Sequence, residues 1–183
     1  MNKKKILVTG GNGRFAKVLK EKNKNLNLYF ASKKECNILK EASIEKIIKK
    51  IRPSIILHTA GLSRPMKIHE TDIEKSIDLN IIGTANITKI CSDLNIKLIY
   101  ISTSYVYPGE KGNYKEVDPI KPINNYGLSK MGGEASVRMY KNSLVIRASM
   151  TEKPFIHTKA FFDLRYFLIE FILSIFKFVL VGK

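Results

Sequence analysis

The stretch ILVTGGNGRFA, residues 6–16, decides the fold of this chain. The apolar run Ile6–Val8 predicts a buried strand, and the helical spacing of Phe15, Val18 and Leu19 predicts a helix after a glycine-rich turn. A strand, a glycine turn and a helix N-terminus together direct backbone N–H groups and the positive end of the helix dipole toward an anion. The stretch therefore predicts an anion-binding loop, with an ordinary strand-to-helix turn as the alternative.

The small residues of this stretch follow the dinucleotide-binding fingerprint, displaced by one position. We expect Gly10 to permit the tight turn, Gly13 to let a pyrophosphate approach the backbone, and Ala16 to let helix and strand pack closely. Glycine turns between strands and helices are also common outside cofactor sites. The loop taken alone therefore leaves both interpretations open.

The composition is that of a globular protein of one domain: 183 residues, of which 44% are hydrophobic and 26% are charged. The net charge of +16 resembles a nucleic-acid signal, but 26 of the 32 basic residues are lysines scattered along the whole chain. The sequence contains no basic run interleaved with aromatic residues. We therefore expect no nucleic-acid partner, although a basic surface would concentrate anionic ligands such as sugar nucleotides.

The cysteines and the N-terminus predict a cytoplasmic protein. Cys36 and Cys91 have no metal-ligand spacing, and Cys91 falls on the apolar face of a predicted helix. Buried thiols in a reducing cytosol, with no metal site, are the simplest interpretation. The basic segment Met1–Lys5 precedes only three apolar residues, which does not match a signal peptide.

Strand and helix patterns alternate along the chain, which is typical of a doubly wound α/β fold with a parallel sheet. Further strands are predicted over 26–31, 54–58 and 97–102, and helices over 13–22, 43–50, 71–94 and from 124 or 125 onward. Ser43 is expected to cap the second helix, and Asn124 or Asn125 the last. One stripe of the helix over 71–94 is expected to face the sheet; its members are Ile73, Ile77, Ile81, Thr84, Ile87, Cys91 and Leu94.

Three clusters of small residues should meet at one edge of this sheet. Thr9–Gly13, Thr59–Gly61 and Ser102–Ser104 each follow a predicted strand, and ligands of such sheets bind at the carboxyl ends of the strands. This convergence favours the cofactor interpretation of the glycine loop. His58 ends the third predicted strand without a partner in sequence, so a hydrogen-bonded structural histidine is favoured over a catalytic one.

The end of the second predicted strand bears on the choice between NAD and NADP. Dinucleotide folds that bind NAD usually carry an acidic residue here, which contacts the ribose hydroxyls. This chain has Ser32–Lys34 instead, so NADP is tolerated and slightly favoured. The alternative is that Lys33 and Lys34 are merely solvated.

A tyrosine and a lysine four residues apart open the last predicted helix. Tyr126 and Lys130 share one helical face, and a lysine ammonium would lower the phenol pKa toward the range of a general acid. Thr103 or Ser104 could donate a hydrogen bond to the same substrate oxygen. Chance placement in a lysine-rich chain is the competing explanation of the pair.

The order of these motifs resembles the extended short-chain dehydrogenase/reductase superfamily, in particular its dTDP-4-dehydrorhamnose reductase-like branch, which modifies sugar nucleotides. The resemblance covers about residues 4–150, which we expect to form an NAD(P)-binding domain over 1–150. The motifs that carry it are Thr9-Gly10-x-x-Gly13-x-x-Ala16, His58-Thr59-Ala60-Gly61, Asn80-x-x-Gly83-Thr84, Ser102-Thr103-Ser104-Tyr105-Val106-Tyr107, Tyr126-x-x-x-Lys130 and Ile146-Arg147.

The resemblance implies a Rossmann fold, a nicotinamide cofactor and hydride transfer at a sugar carbonyl or carbinol of a nucleotide-linked substrate. By this likeness Tyr126 is the general acid/base, Lys130 holds the nicotinamide ribose, and Thr103 hydrogen-bonds the reacting oxygen. Asn37 and Ile38 match the family's Asp-aliphatic pair near the adenine, with Asn replacing Asp. The implied cofactor contacts are Gly10, Asn12, Gly13, Arg14, Phe15, Asn37, Ile38, Thr59, Ala60, Gly61, Ser102, Tyr126 and Lys130.

Residues 151–183 depart from the family, whose members continue into a lobe that binds the sugar nucleotide. Residues 167–181 are almost wholly apolar, with Glu170, Ser174 and Lys177 on a narrow polar stripe. We expect a terminal helix that packs on the sheet or against a second subunit or partner chain; a membrane-surface helix and a frameshifted tail are the less favoured alternatives. Both a reductase or epimerase and a non-catalytic cofactor-binding or regulatory subunit remain open.

Overall fold

The computed structural model describes residues 4–148, in which strands alternate with helices as expected. The elements in chain order are β1 (Lys5–Thr9), α1 (Arg14–Lys22), β2 (Asn27–Phe30), α2 (Glu41–Ile51), β3 (Ile55–His58), α3 (Ile68–Thr71), α4 (Ile73–Ile77), α5 (Gly83–Asp93), β4 (Lys97–Thr103), α6 (Asn125–Arg138) and β5 (Ser143–Ala148). A π-helical turn, Asp78–Ile82, joins α4 to α5, and a 3-10 turn, Ser104–Val106, follows β4.

The five strands form one parallel sheet in the order β2-β1-β3-β4-β5. Val8 of β1 is paired with Phe30 of β2 and with Leu57 of β3, so the chain runs outward from β1 in both directions. This reversal makes β1 and β3 the topological switch point, where open α/β sheets bind ligands. The predicted Rossmann-type fold is confirmed.

Each face of the sheet packs on its own apolar cluster. Leu7 and Ile56 lie with α2 and α5 on one face, where Ile44 and Ile87 are fully buried. On the other face Ile6, Val8, Ile55 and Leu57 contact the buried Ala16 and Leu19 of α1. Because both faces are covered, the strands read in sequence as continuous apolar runs rather than alternating ones.

The helix predicted over 71–94 is present without a break from residue 73 to residue 93, but a π-helical turn interrupts its regular period between α4 and α5. In the π-helical turn the N–H of Gly83 bonds to the carbonyl of Asp78, five residues back. The extra residue in this turn puts the apolar positions of α4 out of phase with those of α5. Ile73 and Ile77 are consequently 54% and 41% exposed, although the expected stripe assigned them to the sheet.

Leu94, the last member of the expected stripe, also lies outside the core and is 53% exposed. Thr84, Ile87 and Cys91 are buried as expected. The stripe prediction therefore holds only within α5, where the helix is regular.

Of the two expected helix caps, one is confirmed and the other is not found. Asn124 caps α6 by accepting a hydrogen bond from the N–H of Gly127, as predicted. Ser43 does not cap α2, which begins at Glu41; its hydroxyl instead accepts from the N–H of Asn37 at 2.9 Å.

Both cysteines are buried, as expected. Within residues 4–148, no helix is long and apolar enough to cross a membrane. The apolar segment 167–181 lies outside the described residues.

Candidate active site

The glycine loop forms the turn that the sequence predicts. Gly10 has φ +67, and its carbonyl accepts a hydrogen bond from the N–H of Gly13 at 2.8 Å. A Cβ on Gly10 would lie 2.8 Å from Cα of Ala60, so the residue must be glycine both for its conformation and for its packing. Gly13 is the N-cap of α1 and supplies no side chain to the first helical N–H groups, so these can bind an anion.

The other expected contacts of this loop lie around the same turn. Ala16 is fully buried against the sheet, as its proposed packing role requires. Asn12 and Arg14 are exposed at the turn, and Phe15 is half-buried against the α1 face of the sheet.

The carboxyl ends of β1 and β3 are tied together. Oγ1 of Thr9 accepts hydrogen bonds from the N–H groups of Thr59 and Ala60, each at 3.2 Å. The hydroxyl of Thr59 donates to the carbonyl of Thr9 at 2.6 Å. The expected convergence of the first two small-residue clusters is therefore confirmed, with Gly61 directly following.

His58 is structural, as the sequence favours. Its Nδ1 lies 2.8 Å from Thr9 Oγ1 and its Nε2 lies 3.2 Å from Thr84 Oγ1, so both ring nitrogens have partners. Burial, and secondarily the charge of Lys130, lower the pKa of His58 to about 3. A histidine that stays neutral across the physiological range and is fully enclosed is not a proton-transfer group.

The turn after β2 contains an acidic side chain, Glu35, as well as the two lysines. The carboxylate of Glu35 accepts hydrogen bonds from the N–H and hydroxyl of Ser32, at 2.9 and 2.7 Å, and from the Tyr29 hydroxyl at 2.6 Å. These bonds, with Tyr29 contributing most, lower the pKa of Glu35 to about 2. An acidic group that the sequence analysis missed therefore occupies this turn beside the exposed Lys33 and Lys34.

The two predicted adenine contacts, Asn37 and Ile38, differ in how deeply they are buried. Asn37 is half-buried, and its Oδ1 accepts from the N–H of Leu39 at 3.1 Å. Ile38 is buried in the core, where its side chain lies over Gly83 and its carbonyl accepts from Asn86 at 3.0 Å. Gly83 thus makes room for Ile38, which explains a glycine inside the helical pattern.

Ser102 provides a test of whether this edge fits a cofactor. The residue is 3% exposed at the carboxyl end of β4, and its hydroxyl has no hydrogen-bond partner within residues 4–148. A buried hydroxyl without a partner costs free energy unless a ligand satisfies it. The residues of this edge therefore fit a polar ligand that crosses the ends of β1, β3 and β4.

Tyr126 and Thr103 come together where β4 ends and α6 begins. The side chain of Thr103 lies close enough to the phenol of Tyr126 to affect its pKa. Burial raises the pKa of Tyr126, while the side chain of Thr103 and the charge of Arg64 oppose the rise. The expected lowering of the phenol pKa by Lys130 is therefore not found in this structure, because burial dominates.

Lys130 is 7% exposed and its Nζ donates to the carbonyl of Ile101 at 2.8 Å. The ammonium also lies 4.0 Å from the centre of the Tyr100 ring. Burial lowers the pKa of Lys130 to about 7, and the carboxylate of Glu134 opposes this effect. The lysine therefore contacts β4, at the Ile101 carbonyl and the Tyr100 ring.

Asn80 is a site residue that the sequence analysis quoted without a role. Its amide accepts from the N–H of Leu62 at 2.7 Å and donates to the Leu62 carbonyl and to Ser129 Oγ, both at 2.8 Å. Ser129 in turn donates to the carbonyl of Tyr126. The available signal was an asparagine in a helical pattern, a poor helix former that here occupies the π-helical turn.

Glu134 and Arg147 form a buried ion pair beneath Lys130. Arg147 contacts the carboxylate through Nε at 3.1 Å and Nη2 at 2.8 Å, and donates from Nη1 to the Tyr107 hydroxyl at 2.7 Å. The pair ties β5 and α6 to the loop after β4. In the sequence, Arg147 was named within the Ile146-Arg147 motif, but nothing pointed to Glu134 as its partner.

No group of three or more His, Cys, Asp or Glu side chains within residues 4–148 could hold a metal ion. At this edge, Tyr126 and Lys130 of α6 meet the end of β4, at Thr103 and Ile101 respectively.

Comparisons with known proteins agree with this geometry. A family model described as the RmlD substrate binding domain matches residues 4–151. Among solved structures, dTDP-4-dehydrorhamnose reductase from Bacillus anthracis in complex with NADP has 30% sequence identity and a TM-score of 0.77, covering 82% of this chain and 55% of that one.

Curated relatives have two different descriptions. Methionine adenosyltransferase 2 subunit beta from Xenopus laevis is 36% identical over 104 residues, which are 56% of this chain and 31% of that protein. Spore coat polysaccharide biosynthesis protein SpsK from Bacillus subtilis is 31% identical over 150 residues, 79% of this chain and 52% of its own. The chain thus spans about a third to a half of the relatives it matches.

Proposed function

This chain belongs to the RmlD substrate binding domain family, and on that premise we propose that it binds NADP or NAD and reduces the carbonyl group of a nucleotide-linked sugar. The observation that carries the proposal is that the side chains of Thr103 and Tyr126 interact at the same sheet edge as the glycine loop.

Three features support cofactor binding at this edge. The uncapped N-terminus of α1 and the Gly10–Gly13 turn can receive a pyrophosphate. The unsatisfied hydroxyl of Ser102 lies at the end of β4, where a ring crossing the sheet edge would meet it. The similar reductase from Bacillus anthracis was crystallised with NADP.

The bound nicotinamide would supply the hydride, and the chain's own residues would manage the proton. The phenol of Tyr126 is protonated near pH 7, so it would donate a proton to a carbonyl oxygen as that oxygen gains charge. Burial raises the pKa of Tyr126 in this structure, which makes the phenol a weaker acid, so the charge that develops on the substrate oxygen would have to drive the transfer. Thr103 would hydrogen-bond the same oxygen and orient the phenol. Lys130, held by the Ile101 carbonyl, would contact the cofactor ribose.

A non-catalytic cofactor-binding or regulatory subunit is the second candidate. It is favoured by one observation: the methionine adenosyltransferase 2 subunit beta sequences are similar to this chain. Tyr126, Lys130 and Thr103 are all retained here, which favours the enzyme.

Cofactor binding is the premise that both candidates share. Titration of the purified chain with NADPH and with NADH, followed by nicotinamide fluorescence, should show saturable binding of at least one. Absence of binding by both would contradict both candidates. If a cofactor binds, oxidation of NAD(P)H in the presence of dTDP- or UDP-linked 4-keto sugars supports the enzyme, whereas binding without turnover supports the subunit.

Tyr126→Phe should reduce turnover by about 10²–10⁴-fold, because it removes the proton donor but keeps the ring. The dissociation constant for the cofactor should stay within about twofold of wild type. Tyr140→Phe is the matched control, since the Tyr140 hydroxyl donates to the Ile96 carbonyl before β4, away from the site. Unchanged turnover in Tyr126→Phe would exclude the proposed acid.

A further inference from the structure

His69 is a fully buried histidine that packs on the candidate catalytic tyrosine. The ring centroids of His69 and Tyr126 lie 5.0 Å apart, with their planes tilted by 52°. On its other side, Nδ1 of His69 lies 2.7 Å from the hydroxyl of the buried Ser76 in α4. The imidazole is therefore fixed to α4 by Ser76, and its contact with the phenol ring restricts where that ring can lie.

A second contact joins the same two segments. Asn125, the residue before Tyr126, donates from its amide to the His69 carbonyl at 3.2 Å and to the Glu70 carboxylate at 2.6 Å. The start of α6 is thus clamped to α3 both through the Asn125 side chain and through the Tyr126 ring. Because the two clamping residues are adjacent, they restrict both the backbone and the ring of Tyr126.

A second aromatic ring also contacts the phenol. Tyr105 meets Tyr126 edge-on, with ring centroids 5.6 Å apart and an interplanar angle of 70°. Tyr105 is 43% exposed, whereas His69 is fully buried. Of the two rings in contact with the phenol, His69 is therefore the rigid support.

We propose that His69 is a positioning residue that holds the ring of Tyr126 in place beside the side chain of Thr103. The inference rests on the proposed function in that the tyrosine is taken as the proton donor. Burial lowers the pKa of His69, with Glu70 opposing, so the ring is neutral at pH 7. The support is therefore a matter of packing and of the Ser76 contact, not of charge.

His69→Ala should lower kcat by about 10- to 100-fold, since a displacement of about 1 Å at a reacting group can cost 10²-fold. The dissociation constant of the cofactor should change less than twofold, because the glycine loop is untouched. His69→Phe restores an aromatic ring against Tyr126 and should recover kcat to within about threefold of wild type. Thr71→Ala is the matched control, because its exposed hydroxyl bonds only to the Lys67 carbonyl within α3.

A measurement without turnover separates this inference from the proposed function. In protein labelled with ring-¹³C tyrosine, the Tyr126 signal is identified by its loss in Tyr126→Phe, and its pKa is read from a pH titration. Opening the pocket in His69→Ala should bring that pKa down toward the ordinary value, while Thr71→Ala should leave it raised.

If wild type lacks turnover, the proposed function fails, and the titration still decides whether His69 supports the phenol. Wild-type kcat together with an unchanged Tyr126 pKa in His69→Ala would overturn the inference. Should His69→Ala fail to fold, Ser76→Ala, which frees the imidazole from α4, should give the same changes in smaller measure.

Discussion

The proposed cofactor side and the proposed chemical side of the sheet edge are built differently. At the ends of β1 and β3, the geometry is made by backbone groups and small residues, as in the turn from Gly10 to Gly13 and the Thr9–Ala60 contact. At the end of β4, the geometry is made by large side chains from distant segments: His69, Asn80 and Arg147 are 57, 46 and 21 residues from Tyr126 along the chain.

The difference explains which part of the site a sequence reveals. A turn whose geometry is made by the backbone needs particular residues at fixed spacing, so the glycine loop can be recognised in the sequence as a motif. A site made by side chains can be positioned by residues from any segment that the fold brings near, whatever their distance along the chain. Breaking each side separately should therefore have different consequences for stability and for binding.

Breaking the chemical side should have the largest effect on stability. Arg147→Met leaves the Glu134 carboxylate buried without its partner, which costs about 3–5 kcal/mol. The melting temperature should fall by roughly 10 °C, as measured by calorimetry or circular dichroism. Arg138→Met, at an exposed position of α6, is the control and should change stability by less than about 0.5 kcal/mol.

The double variant Glu134→Leu/Arg147→Met sharpens this test. Replacing both partners removes the uncompensated charge, so most of the lost stability should return. If the single variant Arg147→Met is as stable as wild type, the ion pair does not hold β5 to α6 as described.

Breaking the cofactor side should cost less stability but should weaken cofactor binding. In Gly10→Ala the new Cβ would lie 2.8 Å from Cα and 2.9 Å from N of Ala60, at a backbone φ of +67. We expect a loss of about 2 kcal/mol, with the turn displaced and the affinity for NAD(P)H reduced at least about tenfold. Stability is measured by urea denaturation and affinity by nicotinamide fluorescence.

Gly112→Ala is the matched control, because a Cβ at Gly112 meets no atom within 4 Å. It should leave both stability and affinity near wild type. Wild-type cofactor affinity in Gly10→Ala would show that the turn does not position the phosphate.

The smallest loss of stability should come from acidification, through His58 at the end of β3. His58 has a pKa of about 3 in the folded protein and about 6.5 when unfolded, so between these values only the unfolded chain takes up a proton. The contribution of His58 is complete above pH 6.5 and is lost as the pH falls toward 3. Between pH 7 and 5.5 the loss is about 1 kcal/mol.

Urea denaturation of wild type and His58→Gln at these two pH values measures this contribution. The variant should lose less stability than wild type on acidification, whatever its stability at pH 7. Equal losses would mean that His58 is not the group responsible.

Sequence reasoning succeeded where one residue type is required by local geometry. The doubly wound sheet, the turn at Gly10 and the partnered His58 follow from short patterns whose physical requirements are local. It failed where a regular period was interrupted: the stripe through Ile73 and Ile77 assumed 3.6 residues per turn across a π-helical turn. The acidic group at the end of β2 was missed because Glu35 reaches it by folding back through a turn.

The sequence by itself determined the alternation of strands and helices, the glycine turn at the switch point and the identity of the chemical groups, because each depends on spacing along a few residues. Only the tertiary structure decided how those groups are supported and charged. Burial raises the pKa of Tyr126 where the pair with Lys130 had suggested the opposite, since desolvation depends on everything packed around a group rather than on its neighbours in sequence.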